Sequence, residues 1–133
     1  TRDPEFLAAA IKLAKYFVER VEETGDDTGV VWWDFDAPRP PNVRDESAAM
    51  IACAGMLELY DLTGDKQFLP AVAKMLEYAV ENAKAPKGAD TVLRGATANN
   101  NPDNKHPNFE TGLVYADYYF LQIGNKLMEL GLA

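Results

Sequence analysis

From its N-terminus the chain sets Phe6, Leu7, Ala10, Ile11, Ala14, Phe17, Val18 and Val21 at three- and four-residue spacing, with Lys12, Lys15, Glu19 and Glu22 between them. That period predicts an amphipathic helix with one apolar stripe. Asp3 before Pro4 reads as its start, because a carboxylate caps free N–H groups and proline fits where no N–H is needed. A second stripe, Phe68, Leu69, Val72, Met75, Leu76, Ala79 and Val80, predicts another such helix with Asp65 as cap. Pro70 is either tolerated in its first turn or shifts its start. The intervening stretches differ: "SAAMIACAGMLELYDL" from Ser47 to Leu62 and "GLVYADYYFLQIGNKLMEL" from Gly112 to Leu130 are apolar nearly all round. Helices of that kind are enclosed by other helices. Asp45 and Asn108 are their expected caps.

The two halves repeat. Residues 1–21 lie over residues 63–83 without a gap, matching Thr1/Thr63, Asp3/Asp65, Phe6/Phe68, Leu7/Leu69, Lys12/Lys74, Tyr16/Tyr78 and Glu19/Glu81 among others. This defines hairpin repeats 1–62 and 63–133 within a single partial domain, 1–133. Outer amphipathic helices alternating with inner apolar ones describe the concentric layers of an all-α toroid or barrel. An inner helix leads to the next outer one through the short turn "LTGD", whereas outer-to-inner connections take about 20 and about 25 residues, beyond the usual helix connection. Both long loops therefore fall at one end. Four helices cannot close a ring, so the open edges are expected to be covered by a further part of the protein or by other copies. The start at Thr1 rather than Met fits a trimmed chain or the downstream part of a longer one.

Composition narrows the partners. A formal net charge of −8 over 133 residues, with no clustered basic face, sets aside nucleic acid and acidic membrane surfaces. No apolar run reaches the roughly 18 residues of a membrane span. Cys53 stands alone in "MIACAGML", which excludes a disulfide or a cysteine-based zinc site and makes it a small core residue. His106 is the sole histidine, so neither a histidine triad nor a multi-histidine metal site can form within the chain. No nucleophile elbow, phosphate loop or dinucleotide fingerprint appears.

Candidate chemistry gathers in the long loops. Helix N-termini there favour an anion, unless capping by Asp45 and Asn108 already satisfies them. Trp32 and Trp33 point in different directions, so one at most forms a sugar-stacking platform while the other packs on the rim. Arg44 is either a uronate ligand or half of a rim ion pair with Asp45. Asp34 and Asp36 resemble a paired-carboxylate arrangement, although aspartate-rich loops are common. In the second loop Arg94, Asn99, Asn100, Asn101, Asn104, Lys105 and His106 offer donors to a polar ligand. Asp117 inside "VYADYYFL" faces a lumen or bonds a neighbouring helix, and Tyr115, Tyr118 and Tyr119 are expected mostly in the core, with room for one to tip into the lumen.

"WWDFDAPRPPNVRDESAAMIACAGMLEL", "LTGDKQFLPAVAKML", "LRGAT" and "GLVYADYYFLQ" together resemble the C-terminal third of glycoside hydrolase family 88, the unsaturated glucuronyl hydrolases. That family's pattern runs Trp-Asp-Phe, Arg-Asp-Ser-Ser-Ala, Leu-Leu-x-His-Gly-Thr and Gly-Asp-Tyr-Tyr-Phe. The resemblance covers essentially the whole chain. It implies two of the six hairpins of an (α/α)6 barrel and no metal or organic cofactor; the compartment is unknown, with a cytoplasmic one favoured by the likeness. It also implies hydration of the C4=C5 double bond of a terminal unsaturated uronic acid on lyase-derived oligosaccharides, with release of the sugar. An aspartate acts as general acid and base in such enzymes, and the catalytic aspartates lie in the N-terminal half, so no catalytic residue is assigned here. The resemblance places Trp33, Asp34, Arg44, Asp45, Arg94, Asn100 and Lys105 on the substrate side of the rim. Glu46 stands where the family's first serine would be, and Arg94 where histidine is common. The related unsaturated rhamnogalacturonyl hydrolases match these motifs less well; a self-assembling, non-catalytic helical module is the other alternative.

Overall fold

The computed structural model describes residues 3–25, 27–38, 42–101, 103 and 105–133. Four α-helices follow in order: α1 (Pro4–Thr24), α2 (Glu46–Thr63), α3 (Leu69–Tyr78), continued by a π-helical turn (Ala79–Ala83), and α4 (Val114–Glu129). The described residues contain no strand, only isolated bridges in the loops.

Each helix boundary has a local cause. The Asp3 carboxylate accepts from the Glu5 N–H, with Pro4 opening α1. Asp45 accepts from the N–H groups of Ser47 and Ala48 at the start of α2, and Gly64 ends that helix in the left-handed region that glycine adopts without steric penalty. The third helix departs from expectation. Asp65 does not cap it; its carboxylate closes a turn onto the Gln67 N–H, and Phe68 occupies the cap position without a side-chain bond. Pro70 is the reason, since its ring would clash with a helical carbonyl four residues earlier, so the helix begins only at Leu69. Asn108 does not cap α4 either. It pairs with Asn99 in an extended bridge, the loop stays non-helical to Leu113, and α4 opens without a side-chain cap.

The second helix is the hub. It packs against α1, α3 and, most extensively, α4. Met50, Cys53, Met56 and Leu57 on α2, Met75 on α3, Leu93 and Ile123 are almost completely buried. Burial of such side chains stabilises by about 1.5–3 kcal/mol each, an upper range for this fold. Lys126 of α4 ties the far end of this interface by ion pairs to Glu58 and Asp61 at 3.0 and 2.7 Å. The apolar fourth helix is covered on one side only, where Ala116 and Ile123 are buried, while Val114, Tyr118, Leu121 and Met128 are exposed. Of the tyrosines expected mostly in the core, Tyr119 is half-buried, whereas Tyr118 at 61% and Tyr115 at 39% are exposed. On the opposite edge an apolar groove of ≈ 720 Å³ runs between α1 and α2, lined by Phe6, Leu13, Phe17, Ile51, Gly55 and Leu62 among others.

Candidate functional site

The two long loops meet over the N-terminus of α2. The first doubles back on itself: Trp33 N–H donates to the Val43 carbonyl and Asp45 N–H to the Val31 carbonyl, at 2.8 and 2.7 Å. Phe35 anchors its tip to α1, edge-on to Phe17 at 5.6 Å and beneath the Arg20 guanidinium. The second loop is closed by the pairs Ala96–Thr111 and Asn99–Asn108. Glu46 N–H donates to the Gly95 carbonyl, and the Asp45 carboxylate accepts from Thr97 N–H at 3.1 Å. Both loops thus sit at one end, as their lengths implied.

The predicted rim residues divide by what they already hold. Asp45 is buried, and one of its oxygens accepts from Ser47, Ala48 and Thr97. Arg44 does not pair with Asp45. Its Nε lies 3.4 Å from Glu110, its Nη1 donates to the Asn82 carbonyl, and its own carbonyl accepts from Thr97 Oγ1. Arg44 therefore links the first loop, the second loop and the end of the π-helical turn. The Asp34 carboxylate accepts from Asp36 N–H, and Asp36 is bound by Arg20, so the two form no paired site. Trp32 is half-buried with its indole N–H on the Thr24 carbonyl, whereas Trp33 is 37% exposed on the rim. The one-in, one-out arrangement follows from the alternation of extended backbone.

In the second loop Lys105 and His106 are exposed and Asn100 is half-buried; Asn104 lies outside the described residues. Asn99 and Asn101 each accept from the N–H two residues on, shaping the turn. Arg94 is exposed, and its guanidinium has no ion pair among the described residues. It borders an open polar recess of ≈ 470 Å³ with Asp90, Thr91, Glu110 and Thr111. Asp117 takes the structural course: its carboxylate accepts from Thr91 Oγ1, Val92 N–H and Leu93 N–H at 2.8–3.0 Å, binding the 91–93 segment to α4.

Two groups escape a motif-based reading. Glu110 completes the Arg44 link from a backbone at φ +46, a conformation uncommon outside glycine. Glu46 is buried at the first position of α2, and burial is the main reason its pKa rises to about 7; nearby Arg44 opposes the rise and Asp45 adds to it. The signal for Glu46 was a carboxylate immediately beyond the cap of an otherwise apolar helix. Burial, with a smaller contribution from Glu46, pushes the Cys53 thiol up to about 12. Among the described residues no three metal-ligating side chains cluster, and no helix is long and apolar enough to cross a membrane.

No protein-family model matches the chain. Over 133 aligned residues it is 33% identical to a protein of Formosa agariphila, spanning 98% of this chain and 32% of that relative. That relative is an unsaturated glucuronyl hydrolase. An unsaturated glucuronyl hydrolase of Bacillus sp. (strain GL1) is 41% identical over 56 residues, covering 41% of this chain and 14% of its own length. The crystal structure of the unsaturated glucuronyl hydrolase from Bacillus sp. GL1, described as responsible for the degradation of glycosaminoglycan, superposes with a TM-score of 0.78 at 25% identity. It matches 98% of this chain and 34% of that one. A variant UGL with dGlcA-Glc-Rha-Glc superposes equally over 98% of this chain, with a TM-score of 0.77 and 25% identity. The chain spans about a third of the length of the unsaturated glucuronyl hydrolases it matches. Its four helices have the fold of part of their (α/α)6 barrel.

Proposed function

We propose that residues 1–133 supply a C-terminal third, two hairpins, of an unsaturated glucuronyl hydrolase barrel. The completed barrel hydrates the C4=C5 double bond of a terminal unsaturated uronic acid on a lyase-derived oligosaccharide. The hemiketal that results collapses and releases the next sugar. The supporting observation is similarity along the full chain to one third of such enzymes, in sequence and in backbone. The apolar groove between α1 and α2 and the bare face of α4 agree with it, because both are the surfaces a ring of helices would bury.

This third supplies rim rather than catalytic carboxylates. Trp33, Arg94, Asn100 and Lys105 offer a stacking face and donors to the sugar beyond the uronic acid. Asp34, Arg44 and Asp45 serve the same surface by holding the loops in place. The partners are the unsaturated oligosaccharide and the remainder of the barrel.

The test is a barrel containing this third, supplied with unsaturated chondroitin or heparin disaccharides while the ultraviolet absorbance of the conjugated double bond is followed. Loss of that absorbance is expected, and Arg94→Ala raises KM more than it lowers kcat. Activity confined to unsaturated pectin fragments would move the assignment to the rhamnogalacturonyl relatives, and activity on neither would end it.

A further inference from the structure

Beneath the rim, two complementary polar groups are buried without a hydrogen bond. Both carboxyl oxygens of Glu46 are sealed from solvent and meet no donor among the described residues. The Nε of Arg44 is likewise buried with no acceptor in hydrogen-bonding geometry. Gly95 lies against both: a β-carbon built on it would come 2.9 Å from Arg44 Nε and 3.2 Å from Glu46 Cγ. In the observed arrangement Arg44 turns instead to Glu110, its Nε 3.4 Å from a carboxyl oxygen that also accepts from the Arg44 backbone N–H, and to the Asn82 carbonyl.

A carboxylate without donors in such a place is strongly disfavoured, so this arrangement belongs to the neutral acid. Once ionised, Glu46 has one cationic neighbour to turn to, the same arginine. We propose that Arg44 is a proton-operated latch between the two rim loops: with Glu46 neutral its guanidinium holds Glu110, and with Glu46 ionised the guanidinium swings to Glu46 and leaves Glu110 only the Arg44 backbone N–H. The proton leaves to solvent, and no other chemistry is involved. The titratable or charged groups that face Glu46 are Arg44 and Asp45 from the first loop and Cys53 two turns along α2. Arg44 favours ionisation, Asp45 opposes it, and Cys53 stays neutral. Burial outweighs them, so the changeover lies above the ordinary carboxylate range.

The latch is independent of the hydrolase reading, and its test needs no substrate. In the 133-residue chain, NMR titration follows the Glu46 carboxyl carbon and the Arg44 Nε together, while hydrogen exchange follows the amides of Ala98, Asn99 and Thr111. Glu46 and Arg44 are expected to share a midpoint near neutral pH. Exchange protection in the second loop is expected to fall severalfold across that midpoint, beyond the intrinsic pH effect. In Glu46→Gln the Arg44 signal and the protection should stay flat. A Glu46 midpoint in the ordinary carboxylate range overturns the proposal, as does an Arg44 signal blind to the titration of Glu46. If Glu46→Gln does not fold, the wild-type titration decides alone.

Discussion

Individual side chains at the rim act mainly through what they leave satisfied or unsatisfied. Glu46 is the clearest case. Its ordinary value of 4.5 rises to about 7 in the folded chain, so the native state keeps a proton that the unfolded state releases between those values. Stability from this group is thus fully present below about pH 4.5, declines through the interval and is lost above about pH 7. The whole difference is worth roughly 3 kcal/mol. Glu46→Gln is therefore expected to raise urea stability at pH 8 by up to about 3 kcal/mol and to change it little at pH 4. Asp45, unlike Glu46, has its hydrogen-bond donors in place. Its carboxylate satisfies the start of α2 and the Thr97 amide of the other loop, so Asp45→Ala should cost about 2–3 kcal/mol in urea melts, with Asp45→Asn recovering part.

At the level of elements, loops and helices are joined by a few contacts that leave no room for extra atoms. Gly29 has φ +83, and a β-carbon there would lie 2.6 Å from the backbone carbonyl oxygen of Lys74 in α3. Neither backbone can yield cheaply, so Gly29→Ala should destabilise by about 2 kcal/mol or more, read as a lowered Tm. Asp117 joins α4 to the 91–93 segment through three accepted hydrogen bonds. Asp117→Ala strands two backbone amides and is expected to cost about 2–3 kcal/mol, with faster exchange at Val92 and Leu93. The π-helical turn at Ala79–Ala83 ends α3 in an extended residue, Lys84, and leaves the Asn82 carbonyl free to accept from Arg44.

For the molecule as a whole, the decisive property is where apolar surface remains uncovered. The internal repeat gives a template for how it is filled. Within the chain α2 packs on both α3 and α4, and the repeat-equivalent position beside α1 and α2 is the open groove. An apolar inner helix of the adjoining barrel hairpin fits that position in the proposed enzyme. Ile51→Glu, at a site 44% exposed in this chain, should change its helical circular dichroism little. The same substitution should prevent association with the rest of the barrel, read by co-elution. Equal loss of helicity in the isolated chain would show that Ile51 supports the local fold instead.

The repeat of 62 residues, the two amphipathic outer helices, the two apolar inner ones and the shared end of the long loops were all legible in the order of residues. Each rests on periodicity or chain length, which act locally. Arg44, Asp45 and Trp33 could likewise be singled out by type and setting. Their partners could not. Arg44 pairs with Glu110 across 66 positions rather than with adjacent Asp45, α3 yields its expected cap to Pro70, and Asn108 is drawn into a bridge with Asn99. Whether a carboxylate caps a helix, grips an arginine or is buried neutral depends on which donors from distant segments arrive beside it. That proximity exists only once α2 has gathered the other helices and the two loops have closed over its end.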